Sequence, residues 1–294
     1  MITTENNNNS NAATQSKLIC KDHLVSSEEF RIEEYEKGIL KTQPTPENLP
    51  KYYESEEYIS HRDSKSNLQD KVYQMVKSFM LSEKAKWIQS YIEKGSILDY
   101  GAGTGEFLQQ MKNNAWQVEG VEPNSNARNL GVNKGLQIQS ILSAVSKKSY
   151  DVISLWHVLE HIPDFENKIV EFKELLDQDG LLVIAVPNYK SYDANYYNEN
   201  WAAWDVPRHL WHFSREGIKT KMNQYGFSLV EEKPLKFDSY YVSLLSEKNK
   251  STSTNFLNAF YRGLRSNLKA KASGEYSSIA YFFRKHPKTQ FKAN

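Results

Sequence analysis

Four histidines in two short segments are the residues best suited to proton transfer. His157 and His161 lie in WHVLEHIPD, and His209 and His212 lie in DVPRHLWHF. An imidazole gains and loses a proton near neutral pH, so each of them can serve as a general base. The alternative is structural, because a histidine can also fix a loop by hydrogen bonding. We rank His209 first as the catalytic base and His161 second.

A glycine-rich loop is the second chemical signal. In ILDYGAGTGEF, residues 97–107, an apolar run ends at Asp99, and Gly101, Gly103 and Gly105 follow at alternate positions. Backbone without side chains lets a ligand approach closely. The spacing is neither G-x-G-x-x-G nor a phosphate loop ending in Gly-Lys-Ser/Thr. The loop therefore indicates either a ligand site of another kind or a tight turn that packs a helix on a strand.

An acidic residue follows the next apolar stretch. Glu122 ends the run in WQVEGVEP and lies 23 residues after Asp99. A carboxylate at the end of a second strand can accept hydrogen bonds from both hydroxyls of a ribose. A solvated surface glutamate is the alternative. Together with the glycine loop, Glu122 predicts a nucleoside-containing ligand.

Alternating strands and helices must position these residues. A helical segment over 51–94 is followed by predicted strands at 97–98, 116–121, 150–155 and 181–186, separated by predicted helices at 106–113, 125–134 and 165–176. This alternation predicts parallel βαβ units, and ligands bind at the carboxyl ends of such strands. A helix at 214–225 and a hairpin of strands near 228–232 and 240–246 complete the predicted domain.

Three motifs together resemble a known enzyme family. ILDYGAGTGEF, VEGVEPN and YDVISLWHVLEHIPD are similar to the class I S-adenosylmethionine-dependent methyltransferases over about residues 70–247. The resemblance is closest to the branch that includes ubiquinone-biosynthesis-type O-methyltransferases and many bacterial relatives. It implies an α/β fold: a Rossmann-like, doubly wound seven-stranded sheet with an antiparallel last strand and helices on both faces. It also implies S-adenosyl-L-methionine as the cofactor.

The resemblance assigns roles to the cofactor residues. Asp99 would orient the ammonium group, and Glu122 would hold the ribose hydroxyls. The loop around Ile141 and Leu142 would flank the adenine, although the acid that the family often has there is missing. The complete set of predicted cofactor contacts is Asp99, Gly101, Gly103, Gly105, Glu122, Trp156 and His157.

A long aromatic insert separates the strand at 181–186 from the helix at 214. A loop of this length inside a compact domain is usually functional. Its aromatic rings would form either a lid that stacks on a planar or apolar acceptor or a hydrophobic cluster beneath the loop. Arg208 would pair with an anionic acceptor group or with Asp205. The substrate candidates are Trp201, Trp204, Arg208 and His212.

The two ends of the chain differ from its middle. Residues 1–16 are predicted to be a disordered lead, and residues 17–69 a small β-rich flap and linker that resembles a zinc module after loss of its ligands. Cys20 is the sole cysteine, so no disulfide and no metal are expected. Residues 70–247 form the predicted methyltransferase domain. From Lys248 onward the sequence has ten Lys or Arg residues and one acidic residue, a net charge of +9, whereas the net charge of the whole chain is +1.

The basic extension over 248–294 includes FLNAFYRGLRSNLKAK, a predicted amphipathic helix. Its apolar face would pack on the domain or on a partner subunit, or it would contact a membrane surface peripherally. The rest of the chain is acidic, so no nucleic-acid partner is expected. No apolar run reaches the length of a membrane-spanning helix, and no secretory signal is recognisable, which favours the cytoplasm.

The predicted function is in-line transfer of a methyl group to an oxygen, nitrogen or carbon of a small or amphiphilic metabolite. Alignment of the nucleophile supplies most of such catalysis, and a base is needed where the acceptor must lose a proton. The alternatives are methylation of RNA or protein and a non-catalytic cofactor-binding scaffold. An oxidoreductase is the most distant alternative.

Overall fold

A computed structural model describes residues 18–53, 68–251 and 254–287, so the predicted disordered lead lies outside the described residues. The strands are β1 (Leu18–Lys21), β2 (Glu29–Glu36), β3 (Ile39–Gln43), β4 (Ser96–Tyr100), β5 (Gln117–Val121), β6 (Ile138–Gln139), β7 (Tyr150–Trp156), β8 (Leu176–Pro187), β9 (Trp211–Phe213), β10 (Phe227–Pro234) and β11 (Ser278–Lys285). The α-helices are α1 (Leu68–Gln89), α2 (Glu106–Asn113), α3 (Ser125–Asn133), α4 (Phe165–Leu175), α5 (Tyr192–Tyr197), α6 (Arg215–Gln224), α7 (Asp238–Lys250) and α8 (Phe256–Ser273).

The larger sheet has seven strands in the order β10-β11-β8-β7-β4-β5-β6. Strands β4 to β8 pair in parallel, whereas β11 runs antiparallel to both β8 and β10. Residues 181–186 of β8 are at most 1% exposed, because helices cover both faces of the sheet. This architecture confirms the predicted seven-stranded, doubly wound fold with an antiparallel last strand.

The hairpin predicted near 228–232 and 240–246 is wrong in its second strand. Residues 238–250 form the helix α7, and the strand that pairs with β10 is β11. The aromatic and β-branched residues of YYVSLL favour a strand locally, but the buried positions, Ser239, Val242, Ser243 and Ser246, recur every three or four residues. The sheet therefore takes its last strand from residues that the sequence analysis placed in the C-terminal extension.

The predicted N-terminal flap is β-rich, as expected. Strands β1, β2 and β3 form a four-stranded sheet with β9, which comes from the aromatic insert. Phe30 and Ile32 of β2 are buried while their neighbours are exposed, the alternation of a sheet with one covered face. The covered face packs on Trp201 and Trp204. The insert thus folds as a hydrophobic cluster, the alternative to a lid.

Helix α8 is amphipathic in an unexpected orientation. It buries a row of small residues, Ala259, Gly263, Ser266 and Ala270. Its large apolar side chains instead face solvent, with exposed fractions from 38% at Leu264 to 86% at Leu257. The expectation that the bulky apolar face packs on the domain is therefore wrong, since close approach of α7 needs small residues. No helix in the described ranges is long and apolar enough to cross a membrane.

Candidate active site

The glycine loop joins β4 to α2 at the carboxyl edge of the larger sheet. All three glycines have positive φ angles, which a side chain disfavours. A Cβ atom at Gly101 would lie 2.4 Å from a methyl of Val158, and one at Gly105 would lie 2.3 Å from a methyl of Leu136. A Cβ atom at Gly103 would meet nothing within 4 Å. Packing therefore requires two of the glycines, and the third borders open space.

Glu122 lies beside this loop, where the sequence placed it. Its Oε2 accepts a hydrogen bond from the Gly103 amide at 2.8 Å, and its Oε1 accepts one from the Asn124 amide at 2.8 Å. Asn124 also caps α3, because its side chain accepts a hydrogen bond from the Ala127 amide. The carboxylate is thereby oriented by backbone donors at the ends of two adjacent strands.

Asp99 is buried at the end of β4. Ser154 donates a hydrogen bond to its Oδ1 at 2.6 Å. Burial raises the pKa of Asp99 to about 7, although the hydroxyl of Ser154 and the charge of Lys84 act in the opposite direction. This side chain can therefore change its charge near neutral pH.

Lys84 is a residue that the sequence analysis missed. Its ammonium group lies 4.3 Å from the ring centre of Trp156, and the ring of Phe107 contacts the same indole edge-on. Burial lowers the pKa of Lys84, while the charges of Asp238 and Asp99 act in the opposite direction. Helix α1 carries several lysines, and nothing in its sequence separates this one from the rest.

His157 is held as a cation between two acids. Its Nε2 lies 2.9 Å from Asp238 Oδ2, and its Nδ1 lies 3.5 Å from Glu160 Oε1. Burial alone would lower the pKa of His157, but the hydrogen bond to Asp238 and the nearby charge of the Glu160 carboxylate outweigh burial and raise the pKa to about 9. The backbone of His157 has a φ of 57° directly after β7. A protonated imidazole cannot accept a proton, so His157 does not suit the role of base.

His161 and His209 lie side by side, with ring centres 4.6 Å apart. The Nδ1 of His161 lies 3.0 Å from the Arg208 carbonyl, and the Nδ1 of His209 lies 2.9 Å from the Ala203 carbonyl. A carbonyl only accepts hydrogen bonds, so each Nδ1 donates and each Nε2 keeps a lone pair in the neutral ring. Burial, together with the positive charge that His209 has when protonated, lowers the pKa of His161 to about 4.

His212 faces the N-terminal sheet. It is 4% exposed, and its Nε2 lies 2.9 Å from Thr42 Oγ1. Burial lowers the pKa of His212 well below its usual value. Its ring packs against Trp204 at 4.9 Å, so the described contacts of His212 are structural.

Arg208 is 1% exposed and forms two buried ion pairs. Its guanidinium donates to Asp205 Oδ1 at 2.7 Å and to Asp22 Oδ1 at 3.0 Å. The first pair is the one that the sequence suggested, and the second links the insert to the loop after β1. Asp22 also accepts hydrogen bonds from backbone amides, so it is a polar anchor for that loop.

A cleft of about 520 Å³ opens beside these residues. The indole nitrogens of Trp201 and Trp204 donate to Asp193 and to the Asn198 carbonyl, so their rings are fixed in its wall. The walls come from the loop after β1, the aromatic insert, α7 and the ends of β7 and β8; they include His23, His157, Pro187, Trp201, Trp204, Arg208, His209, Asp238, Tyr241 and Leu245. The cleft thus brings together three predicted substrate residues, Trp201, Trp204 and Arg208, with His209. His157 is the one predicted cofactor contact among its described lining residues.

Comparison with known proteins identifies the class. A family model described as a methyltransferase domain matches residues 67–232, more than half of the chain. The chain therefore belongs to this methyltransferase family. It is an enzyme whose cofactor is S-adenosyl-L-methionine, as the resemblance implied. No curated protein matches the sequence.

Solved structures share the fold at low sequence identity. Magnesium protoporphyrin IX methyltransferase (ChlM) from Synechocystis PCC 6803, with bound SAH, has a TM-score of 0.53 and 15% identity, covering 79% of this chain and 95% of that chain. The 1,6-didemethyltoxoflavin-N1-methyltransferase from Burkholderia thailandensis has a TM-score of 0.51 and 11% identity, covering 91% of this chain and 100% of that chain. Both likenesses support the fold, while the ubiquinone-type branch stays a prediction.

Proposed function

We propose that the enzyme methylates an oxygen or nitrogen of a small molecule held in the 520 Å³ cleft, with His209 as the base. The observation that carries this proposal is the contact of His209 Nδ1 with the Ala203 carbonyl at 2.9 Å. This Nδ1 donates to the Ala203 carbonyl, so Nε2 can accept a proton from an acceptor. A carbon acceptor, which the sequence left open, needs this lone pair only where a C–H proton must be removed.

The cofactor end of the site has residues that suit each part of the ligand. Bound S-adenosyl-L-methionine supplies a methyl group already activated by the positive sulfur. Glu122 has the position and charge to accept from ribose hydroxyls, and the space beside Gly103 leaves backbone open to a ligand. We assign Asp99 to the ammonium group and Lys84 to the carboxylate of the amino-acid part, since opposite charges pair in a partly buried site.

The walls of the cleft favour a flat acceptor with apolar surface. Tyr241 and Leu245 supply apolar area, whereas Trp201 and Trp204 line the cleft with little exposed surface. Arg208 is engaged in ion pairs rather than left for an anionic group. The two solved neighbours are named for protoporphyrin IX and 1,6-didemethyltoxoflavin, which are ring compounds. The chain before Lys248 has a net negative charge, which disfavours a nucleic-acid partner. A small-molecule acceptor is consistent with that charge.

Two substitutions test the two halves of the site separately. Glu122→Ala should raise the dissociation constant for S-adenosylhomocysteine about 10- to 100-fold, because charge-assisted hydrogen bonds are worth about 1.5–3 kcal/mol. His209→Ala should lower kcat about 10²- to 10⁴-fold and leave cofactor affinity near normal. Calorimetry measures the affinity. Labelled S-adenosyl-L-methionine in a metabolite extract, with mass identification of the product, supplies the acceptor for the turnover assay.

His286→Ala is the matched control, because His286 is an exposed histidine directly after β11 and does not line the cleft. Its turnover should stay close to that of the wild type. Equal turnover in His209→Ala would remove His209 as the base. Unchanged cofactor affinity in Glu122→Ala would remove Glu122 from the cofactor site.

We also propose that α8 binds an anionic membrane surface. The helix exposes Phe256, Leu257 and Phe260 by more than half and carries no acid between 256 and 273. Basic residues near such a surface contribute about 1 kcal/mol each, and inserted apolar side chains add to that. A membrane contact would place an amphiphilic acceptor near the cleft, since α7, which packs on α8, also lines the cleft.

Vesicle sedimentation tests the membrane contact. The wild type should bind phosphatidylserine vesicles and not phosphatidylcholine vesicles, and Leu257→Glu should abolish the binding. Leu130→Glu is the control, because Leu130 is an exposed apolar residue on α3. If the wild type does not bind anionic vesicles, the membrane proposal fails. If it also forms a dimer that Leu257→Glu dissociates, the exposed face of α8 is a subunit interface.

A further inference from the structure

Glu160, His161 and His209 form a cluster beside the cleft. One potential ligand atom of each residue lies within 4.8 Å of those of the other two. Glu160 is 1% exposed, and neither of its carboxylate oxygens accepts a hydrogen bond from the described residues. Its nearest described cation is the His157 ring, with Nδ1 at 3.5 Å. A buried carboxylate without hydrogen bonds is unfavourable, so this geometry indicates a further positive partner.

In both imidazoles the hydrogen bond of Nδ1 leaves Nε2 as the nitrogen that can bind such a partner. Each Nδ1 donates to a backbone carbonyl, that of Arg208 for His161 and that of Ala203 for His209. A histidine that binds a metal characteristically donates its other ring N–H in this way, because the bond fixes the tautomer and the ring orientation. Each Nε2 therefore keeps a lone pair that a metal ion can use, and Asp205 Oδ2 lies 3.9 Å from the Nε2 of His209.

The backbone holds the two segments of the cluster together. The Leu210 amide donates to the Glu160 carbonyl at 2.8 Å. The Trp211 indole nitrogen donates to the Ile162 carbonyl at 2.8 Å. A site whose ligands are fixed by such contacts needs little rearrangement to bind an ion. The cluster is thus positioned before any ion arrives.

We propose that Glu160, His161 and His209 bind one divalent transition-metal ion of the Zn²⁺ class. Two imidazole nitrogens and one carboxylate oxygen suit Zn²⁺, Co²⁺ or Ni²⁺, whereas Mg²⁺ and Ca²⁺ prefer oxygen ligands. Three protein ligands leave a fourth position of a tetrahedral ion for solvent or another molecule. The expectation of no metal rested on the single cysteine, and this donor set needs none.

The consequence for catalysis rests on the proposed function. A metal ion at this site binds the Nε2 lone pair that His209 uses as a base. The ion and the acceptor proton therefore compete, and Zn²⁺ suppresses turnover reversibly. Removal of the ion by a chelator restores the base.

Direct binding tests the site without reference to activity. Calorimetry with ZnCl₂ on the metal-stripped full chain should give one site per chain, and Co²⁺ should give the visible absorption of a tetrahedral nitrogen–oxygen complex. Glu160→Gln should lower the Zn²⁺ affinity at least about tenfold, since even indirect perturbation of ligands costs 10- to 100-fold. His23→Gln, at a histidine outside the cluster, should bind Zn²⁺ like the wild type. Circular dichroism confirms that each variant is folded.

The possible outcomes test the metal site and the role of His209 as a base independently. No stoichiometric Zn²⁺ binding by the wild type, or equal binding by Glu160→Gln, overturns the metal site and leaves His209 to be judged by its own substitution. Stoichiometric binding with inhibition of turnover supports both. Stoichiometric binding that raises turnover supports the site and overturns His209 as the base.

Discussion

The two halves of the site are built in different ways. The proposed cofactor half is centred on residues 97–124, where the glycine loop and the amides that orient Glu122 are backbone groups, and Lys84 adds a side chain from α1. The acceptor half is made of buried side chains from distant segments, and Asp22 and Arg208, which form an ion pair, lie 186 positions apart. The cofactor half, which comes mainly from one short segment, depends on backbone conformation. The acceptor half, which comes from distant segments, depends on the pairing of buried polar groups.

This difference predicts different costs of substitution. Removal of one member of a buried charge pair leaves the other uncompensated, which is among the most destabilising changes in a protein. A side chain added to a loop costs the strain of its φ angle and whatever clash its Cβ meets. The substitutions below test the comparison in order of decreasing effect.

Arg208→Ala should have the largest effect. It leaves Asp22, which is 0% exposed, without its buried cation. We expect the free energy of unfolding to fall by about 3–5 kcal/mol in urea titrations. Arg215→Ala is the control, because Arg215 pairs with Glu232 at a partly exposed position and should cost no more than about 1 kcal/mol. Similar losses in the two variants would contradict the proposed role of burial.

Gly101→Ala should destabilise more than Gly103→Ala. At Gly101 the left-handed strain of about 1–2 kcal/mol adds to a clash with Val158, and we expect a total of roughly 2–4 kcal/mol. At Gly103 the strain acts alone, because nothing lies within 4 Å of the added Cβ. Gly103→Ala should instead weaken S-adenosylhomocysteine binding, measured by calorimetry. The reverse order of stabilities would show that Gly103, and not Gly101, is needed for packing.

Asn124→Ala should have the smallest effect. Loss of this helix cap should cost about 1 kcal/mol of stability. The Asn124 amide remains to donate to Glu122, so cofactor affinity should change little. Asn124→Asp preserves the cap and should be near neutral in thermal unfolding. A large fall in cofactor affinity for Asn124→Ala would mean that its side chain, and not only its backbone, orients Glu122.

Much of the larger sheet could be predicted because its strands and helices have clear local patterns. The helix α3 ends within a residue of its prediction, and the apolar run at 181–186 lies within β8. The strand β11 was missed because it follows a basic helix, and the whole basic segment was therefore predicted to be an extension outside the domain. The helix α7 was mistaken for a strand because its aromatic residues favour strands, whereas its Ser239 hydroxyl donates to the Gly263 carbonyl of α8. At this helix, tertiary packing outweighed the local preference for a strand.

In the acceptor half, the environments of single side chains could not be predicted from the sequence either. Four histidines of similar sequence context have four environments: His157 is held between two acids, His161 has a lowered pKa, His209 lines the cleft, and His212 bonds to Thr42. Their contacts come from elements far away in the chain. No spacing rule could separate them, and none could select Lys84 among the lysines of α1.

The sequence by itself determined the α/β class, the glycine loop and the acid that follows the second strand of the larger sheet. These features are local, because a positive φ angle requires glycine and a strand-to-helix turn is encoded by neighbouring residues. Only the tertiary structure decided the position of β11, the partners of Arg208 and the state of each histidine. Those depend on which distant groups share a buried, low-dielectric environment, where each charge must find its partner.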